Sequence, residues 1–221
     1  MKKRTKGEQT RSEILEKVNT FYNEQGLDHT LAEMASHIGM GKSRITNYFP
    51  KKELLIITLL QQHEEQLAVL VSKHHPYKKS YDFKNYIPFL AEVMELMFHH
   101  RGVIAYVMIN AGMDDEILRH IQLNYARNKK RIRKRLENFE KNGLIKSTLL
   151  EPENFESYFF QYVCMSSNWI ISYNLLDPDK TLGEVKGRYI RSILCCLHPY
   201  LTEKGHENLK TALMSLDGVR T

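Results

Sequence analysis

An all-α fold is predicted for this chain of 221 residues, and three observations predict it. Apolar residues recur at i, i+3, i+4 and i+7 along most of the chain, and no segment alternates convincingly with period two. Helix breakers are sparse, 11 Gly and 6 Pro, below their usual share. Thr-x-x-Glu pairs stand where two early helices begin, a pattern in which each side chain satisfies an unpaired backbone N–H.

The first helix is expected over about 10–25, with Ile14, Leu15, Val18, Phe21 and Tyr22 as its apolar stripe. Thr10 and Glu13 would cap its start, and Gly26 would close it. Thr30 and Glu33 repeat the cap for a short helix over 31–37. Gly39 breaks that helix, and a third covers about 42–48 before Pro50. A long helix then runs from Lys51 to about His74, with Pro50 at its tolerant first turn. After a loop around His75-Pro76-Tyr77, Leu90, Val93, Met94 and Met97 mark a helix that starts near Pro88. Further helices are expected over 103–111, 114–142 (ended by Gly143), 152–175, 181–199 and 204–216. Asp177-Pro178-Asp179 separates the two strongly apolar ones. The pattern divides the chain into a small N-terminal unit, 1–50, and a larger helical bundle, 51–221.

Composition narrows the functional classes. No run of about 18 apolar residues is present, which excludes a transmembrane helix, and the basic start Met1–Lys6 lacks the apolar segment of a signal peptide. Three cysteines, two adjacent, form neither a disulfide framework nor a CxxC pair, so a reducing cytoplasm is expected. The net charge is +6, and its distribution matters more than its size. Residues 1–52 hold ten Lys/Arg against six Asp/Glu, and 127–135 forms a second basic run. Two basic regions invite a nucleic-acid reading.

The first region supports that reading in detail. Two short helices meeting at a tight turn need a small residue at their closest approach, a Gly in the turn and apolar residues toward a shared core. Leu31, Met34, Ile38, Met40 and Ile45 supply the apolar positions, Ala35 the close approach and Gly39 the turn, all in one register. That register leaves Lys42, Ser43, Arg44, Thr46 and Asn47 on the outer face of the third helix. Lys and Arg neutralise phosphates or reach guanine, and Ser, Thr and Asn bond base edges.

Residues 10–56 resemble the N-terminal domain of the TetR family of bacterial transcriptional regulators. The resemblance rests on Ile14-Leu15, Phe21, Gly26, Thr30, Met34-Ala35, Ile38-Gly39-Met40, Lys42, Ile45 and the run Tyr48-Phe49-Pro50-Lys51-Lys52-Glu53-Leu54-Leu55. It implies a helix-turn-helix DNA-binding head on a ligand-sensing, dimerising bundle. It further implies that Lys42, Ser43 and Thr46 read bases, that Arg44, Asn47, Tyr48 and Lys52 touch phosphates, and that Thr30 caps the second helix near the DNA backbone. The chain departs from the family pattern at Thr46, usually aromatic, at Val18, usually Ala, and at Arg44, usually small.

Other signals carry less. Gly41-Lys42-Ser43 imitates the end of a phosphate-binding loop, but Ser36 stands where that motif needs Gly. The pairs His74-His75 and His99-His100 cannot chelate one ion as neighbours on a helix, and no metal, cofactor or catalytic constellation is called for. The 127–135 run is expected to form a solvated helix with only Ile132 turned inward, Glu137 and Glu140 lying nearby. Cys195-Cys196 is expected to pack in an apolar helix. Tyr158, Tyr162, Met165 and Trp169 share one face of the 152–175 helix. Core packing accounts for these and for Phe89, Met97, Tyr106 and Tyr125, but the family resemblance implies an apolar cavity, which aromatic and Met side chains suit. Phe89, Met97, Tyr106, Tyr125, Tyr162, Met165 and Trp169 are its candidate lining.

The expected function is that of a cytoplasmic, homodimeric, non-enzymatic repressor, released from a palindromic operator by a small effector. The helices 152–175 and 181–199 would form the dimer interface. The alternatives are a helical-bundle enzyme or carrier with a vestigial head, and an RNA or membrane-surface binder using 127–135.

Overall fold

The computed structural model describes residues 5–74, 80–110 and 114–217; the start Met1–Arg4 and the predicted His75-Pro76-Tyr77 loop lie outside them. Among the described residues every extended element is an α-helix and no strand forms, as the periodicity predicts. The helices are α1 (Lys6–Gln25), α2 (Leu31–His37), α3 (Lys42–Thr46), α4 (Lys52–His74), α5 (Phe83–His99), α6 (Arg101–Asn110), α7 (Asp115–Lys141), α8 (Pro152–Leu176), α9 (Leu182–Cys195) and α10 (Glu203–Asp217). The described residues form two compact units, one from within 1–66 and 99–122, the other from within 67–98 and 123–221. No described helix is long and apolar enough to cross a membrane.

In the first unit, α1 begins a turn earlier than predicted. Thr5 and Glu8 spell the same cap as Thr10 and Glu13, and the earlier pair is the one used: Thr5 Oγ1 accepts from the Glu8 N–H (3.3 Å) and Glu8 Oε2 accepts from the Thr5 N–H (2.7 Å). Each added residue closes another backbone hydrogen bond, and Thr10, now inside the helix, turns its hydroxyl onto the Lys6 carbonyl. The buried stripe is the predicted one, Ile14, Leu15, Val18, Phe21 and Tyr22, and Gly26 ends the helix. Residues Leu55 to Leu60 of α4 are buried without a break, so this stretch is enclosed on all sides.

Helix α6 lies against α1. Asn19 and Asn23 of α1 both donate through Nδ2 to the His99 carbonyl (2.8 Å each), and Asn23 Oδ1 accepts from the Gly102 N–H at 2.8 Å. Gly102 has no Cβ at a point where one would stand 2.3 Å from the Tyr22 carbonyl oxygen.

In the second unit, α5 starts at Phe83, five residues before Pro88, because Asp82 caps it by accepting the Asn85 N–H. Pro88 sits inside the helix, where it supplies no N–H. The core is aromatic: Tyr81, Phe83, Tyr86, Phe139, Phe155, Tyr158, Phe159 and Tyr162 are buried. Helix α9 ends at Cys195 rather than running to 199, because Pro199 cannot continue it and restricts His198. A 3₁₀ turn, His198–Tyr200, follows. Cys195 is therefore exposed at the helix end, not packed as expected. Between α8 and α9, the buried Asp177 accepts from Lys180 Nζ (2.9 Å), Tyr189 Oη (2.8 Å) and Arg188. These bonds, Lys180's first, hold its carboxyl below the usual range.

The basic run does not face solvent throughout. Ile132 is buried as predicted, but so is Arg135, at 7 % exposure. The stripe Ile132, Leu136, Phe139 continues the helical period, and a residue three after Ile132 falls on the same face. Lys129 pairs with Glu156 (2.6 Å), and Arg133 with Glu137 (3.5 Å) and the Leu150 carbonyl.

Candidate nucleic-acid interface

The α2–turn–α3 segment is built by local rules. Thr30 Oγ1 accepts from the Glu33 N–H (3.2 Å), and Glu33 Oε2 accepts from the Thr30 N–H (2.8 Å) and hydroxyl (2.9 Å). The Thr30 backbone bond keeps the Glu33 carboxyl below its ordinary range. Removing this cap by Thr30→Ala is expected to cost about 1 kcal/mol, read as a lowered urea midpoint, with an unchanged midpoint as the contrary result. At the turn, Gly39 takes φ 66°, a left-handed conformation that a side chain disfavours. It lets the Met40 N–H reach the Ala35 carbonyl at 2.9 Å. Met34, Ala35, Met40, Ile45 and Phe49 are buried, Ile45 and Phe49 completely, so these five side chains fix which face of α3 is left outside.

That outer face carries Lys42, Ser43, Arg44 and Asn47, all exposed, with Thr46 and Tyr48 half-buried beside them. Gly41 precedes α3 and brings no side-chain cap. Three of the predicted side chains have internal partners that sequence reasoning missed. Arg44 Nη2 pairs with Glu13 Oε2 of α1 at 2.8 Å, both partners about half exposed; such a pair is worth about 0–1 kcal/mol and exchanges readily for a phosphate. Thr46 donates to the Ser43 carbonyl at 3.3 Å. Lys52 donates to the Leu27 carbonyl, with its ammonium 5.6 Å from the Tyr106 ring centre. Glu13 was legible in principle as a carboxylate on α1, but only the fold brings it to α3.

The candidate cavity residues are distributed over both units. Tyr106 belongs to the first unit and the other six to the second. Phe89, Tyr162 and Trp169 are buried and Met97 is half-buried. Tyr125 is 45 % and Met165 41 % exposed. The inward face of α8 is Phe155, Tyr158, Phe159, Tyr162, Trp169, Ile170 and Tyr173; Met165 turns outward from it. A cavity of about 520 Å³ in the second unit is lined by Lys180, Thr181, Gly183, Glu184, Val185 and Arg188, none of them a predicted lining residue. Among the described residues no group of three or more His, Cys, Asp or Glu is placed to hold a metal.

Comparison with known proteins agrees with this geometry. The fold matches that of a TetR-family transcriptional regulator from Marinobacter aquaeolei VT8 with a TM-score of 0.76 at 18 % identity, over 96 % of this chain and 99 % of that one. A gamma-butyrolactone receptor, an ArpA-like protein, matches with a TM-score of 0.68 at 14 % identity, over 97 % and 99 %. SmeT in complex with triclosan matches with a TM-score of 0.59 at 13 % identity, over 88 % and 93 %. At these identities the likeness is one of fold. No curated protein matches the sequence. The TetR model, described as a bacterial transcriptional repressor, matches residues 61–209, a stretch beginning in α4 beyond the helix-turn-helix. Two separate parts of the sequence thus lead to one assignment: the chain belongs to the TetR family of transcriptional regulators.

Proposed function

We propose that this regulator is a cytoplasmic homodimer that represses by holding a palindromic operator and releases it when a small molecule occupies its helical bundle. The observation that carries the reading is the outer face of α3, polar and basic while Ile45 and Phe49 behind it are fully buried. Lys42, Ser43 and Thr46 read base edges; Arg44, Asn47 and Tyr48 engage phosphates. Lys52 and Thr30 act from behind, Lys52 on the Leu27 carbonyl and Thr30 as the cap of α2. The head is 1–50 and the ligand-sensing and dimerising part 51–221. Action is through binding, without catalysis.

Dimerisation through α8 and α9 is supported by large apolar side chains left uncovered on α8: Phe160 (67 % exposed), Leu175 (74 %) and Leu176 (74 %). Two heads on one dimer would read half-sites about 34–36 Å apart, or a multiple of that. Two of the structural neighbours, a gamma-butyrolactone receptor and SmeT with triclosan, support a small-molecule effector.

The experiment is a gel-shift on the DNA flanking the protein's own gene. Lys42→Ala and Arg44→Ala are expected to weaken specific binding by about 1–3 kcal/mol each where the side chain reads a base. Where it touches only phosphate, affinity should fall equally on all sequences and the salt slope should shrink. Unchanged binding by both variants would remove α3 from the groove.

A further inference from the structure

The cations of α7 that stay outside form a stripe. At about 100° of turn per residue, Arg127, Lys130, Arg131, Lys134 and Lys141 fall within an arc of about 100°, and all five are exposed. The opposite side of the helix holds Ile132, Leu136 and Phe139, all buried. Ion pairs take Lys129 with Glu156 and Arg133 with Glu137, on the flanks of the stripe. No Asp or Glu occurs between Glu116 and Glu137, so over that stretch α7 itself interleaves no acid among its cations. From Arg127 to Lys141 the row is about 21 Å long, at about 1.5 Å per residue.

Like charges three and four apart on a helix repel one another, and an anionic partner relieves that repulsion. Two properties of the stripe select the partner. It has no apolar component to enter a bilayer, since Ile132, Leu136 and Phe139 face inward, and a helix lying in a membrane surface needs an apolar face. Its cations recur at three- and four-residue spacing along one straight axis from Arg127 to Lys134, which suits a partner whose negative charge also repeats at a fixed interval. Duplex DNA is such a partner, with one charge per about 1.7 Å of its axis.

We propose that the outer face of α7 is a second DNA-contact surface, one that holds the phosphate backbone of a duplex without reading its sequence. Contacts to phosphate fix position and supply affinity, while base edges supply specificity. Arg127, Lys130, Arg131 and Lys134 engage the backbone, and Lys141 extends the row. The surface acts independently of base reading by α3, so its contribution persists when α3 is disabled. Each phosphate neutralised releases counterions and steepens the fall of log K with log salt by about 0.9.

The test titrates a labelled random-sequence duplex of about 30 base pairs with the full-length protein, reading anisotropy from about 50 to 200 mM NaCl. Replacing the two central cations, Lys130→Gln with Arg131→Gln, is expected to weaken binding and to lower the salt slope by about 1.8. The same loss should appear when Lys42→Ala and Arg44→Ala are already present. Lys130→Arg with Arg131→Lys keeps both charges and should keep the parent slope. Lys84→Gln with Lys210→Gln removes two exposed cations elsewhere in the same unit and should leave the slope near that of the parent. An unchanged slope in Lys130→Gln/Arg131→Gln would overturn the proposal. So would an equal loss in Lys84→Gln/Lys210→Gln, since net charge alone would then account for it. Flotation with phosphatidylglycerol vesicles tests the rival partner: capture that needs Lys130 and Arg131, with the duplex slope unmoved by their loss, would assign the face to an anionic membrane instead.

Discussion

Acidifying the protein from pH 7.5 to 5 is expected to lower its unfolding free energy by about 3 kcal/mol, and two imidazoles of the first unit account for it. His63 of α4 and His100, between α5 and α6, meet edge to face with ring centres 5.6 Å apart. Burial depresses the His63 pKa from 6.5 to about 4. Burial, with His63 and His99 adding repulsion, depresses that of His100 to about 3. His63 Nε2 and His100 Nδ1 are shut off from solvent without a hydrogen-bond partner, while His100 Nε2 meets Gln66 Oε1 at 3.1 Å. Below pH 6.5 the unfolded chain takes up protons that the folded one refuses, so stability falls as pH falls, by up to about 1.4 kcal/mol per pH unit for each ring. The carboxylates with lowered pKa, Glu33, Glu92 and Asp177, lose their contribution only as pH drops below the ordinary carboxylate range. The interval from 7.5 to 5 therefore isolates the histidines. Urea unfolding at pH 7.5, 6.5 and 5 measures the slope, and His63→Gln should remove about half of it. A flat profile, or an undiminished slope in the variant, would show that these rings are not excluded from protonation.

How far the sequence disclosed this molecule depended on the range of the interaction concerned. The Thr30–Glu33 cap, the Gly39 turn and the apolar register of α2 and α3 are settled within a few residues, and the structure has them as read. Where two local solutions were equivalent, sequence could not choose. Thr5-x-x-Glu8 and Thr10-x-x-Glu13 are the same word, and the longer helix uses the first. Arg135 was misplaced because its charge outweighed its position, although its spacing from Ile132 puts it on the inner face. Met165 shows the reverse: its spacing, three after Tyr162 and four before Trp169, put it on their face, yet it is 41 % exposed. On the interface, exposure of Lys42, Ser43, Arg44 and Asn47 follows from register alone. The ion pair of Arg44 with Glu13 and the attachment of Lys52 to the Leu27 carbonyl needed the fold, since 31 and 25 residues separate the partners.

Gly102→Ala is expected to destabilise the protein by at least about 1–3 kcal/mol, the range for overpacking a well-filled contact, because what it meets is backbone. A Cβ at this position would lie 2.3 Å from the Tyr22 oxygen, 2.4 Å from its carbonyl carbon and 2.8 Å from the Asn23 nitrogen. No rotamer change relieves such a contact; α6 must move away from α1. That movement would also strain the bond from the Gly102 N–H to Asn23 and the two amide bonds to the His99 carbonyl. For a chain of this size the loss corresponds to a fall in Tm of roughly 3–10 °C. Gly183→Ala is the control, since its Cβ would meet only Thr181 Oγ1 at an ordinary 3.8 Å, and in a helix Ala is favoured over Gly by about 0.5–1 kcal/mol. The α2–α3 segment keeps its own cap, turn and buried residues in Gly102→Ala, so DNA affinity measured well below the new Tm tests a second consequence. If α1 positions α3 only through the head's own core, affinity should stay within a few-fold of the parent. If the seating of α6 on α1 also sets the head, affinity should fall together with stability. A Tm equal to that of Gly183→Ala would mean that α6 and α1 do not approach at Gly102.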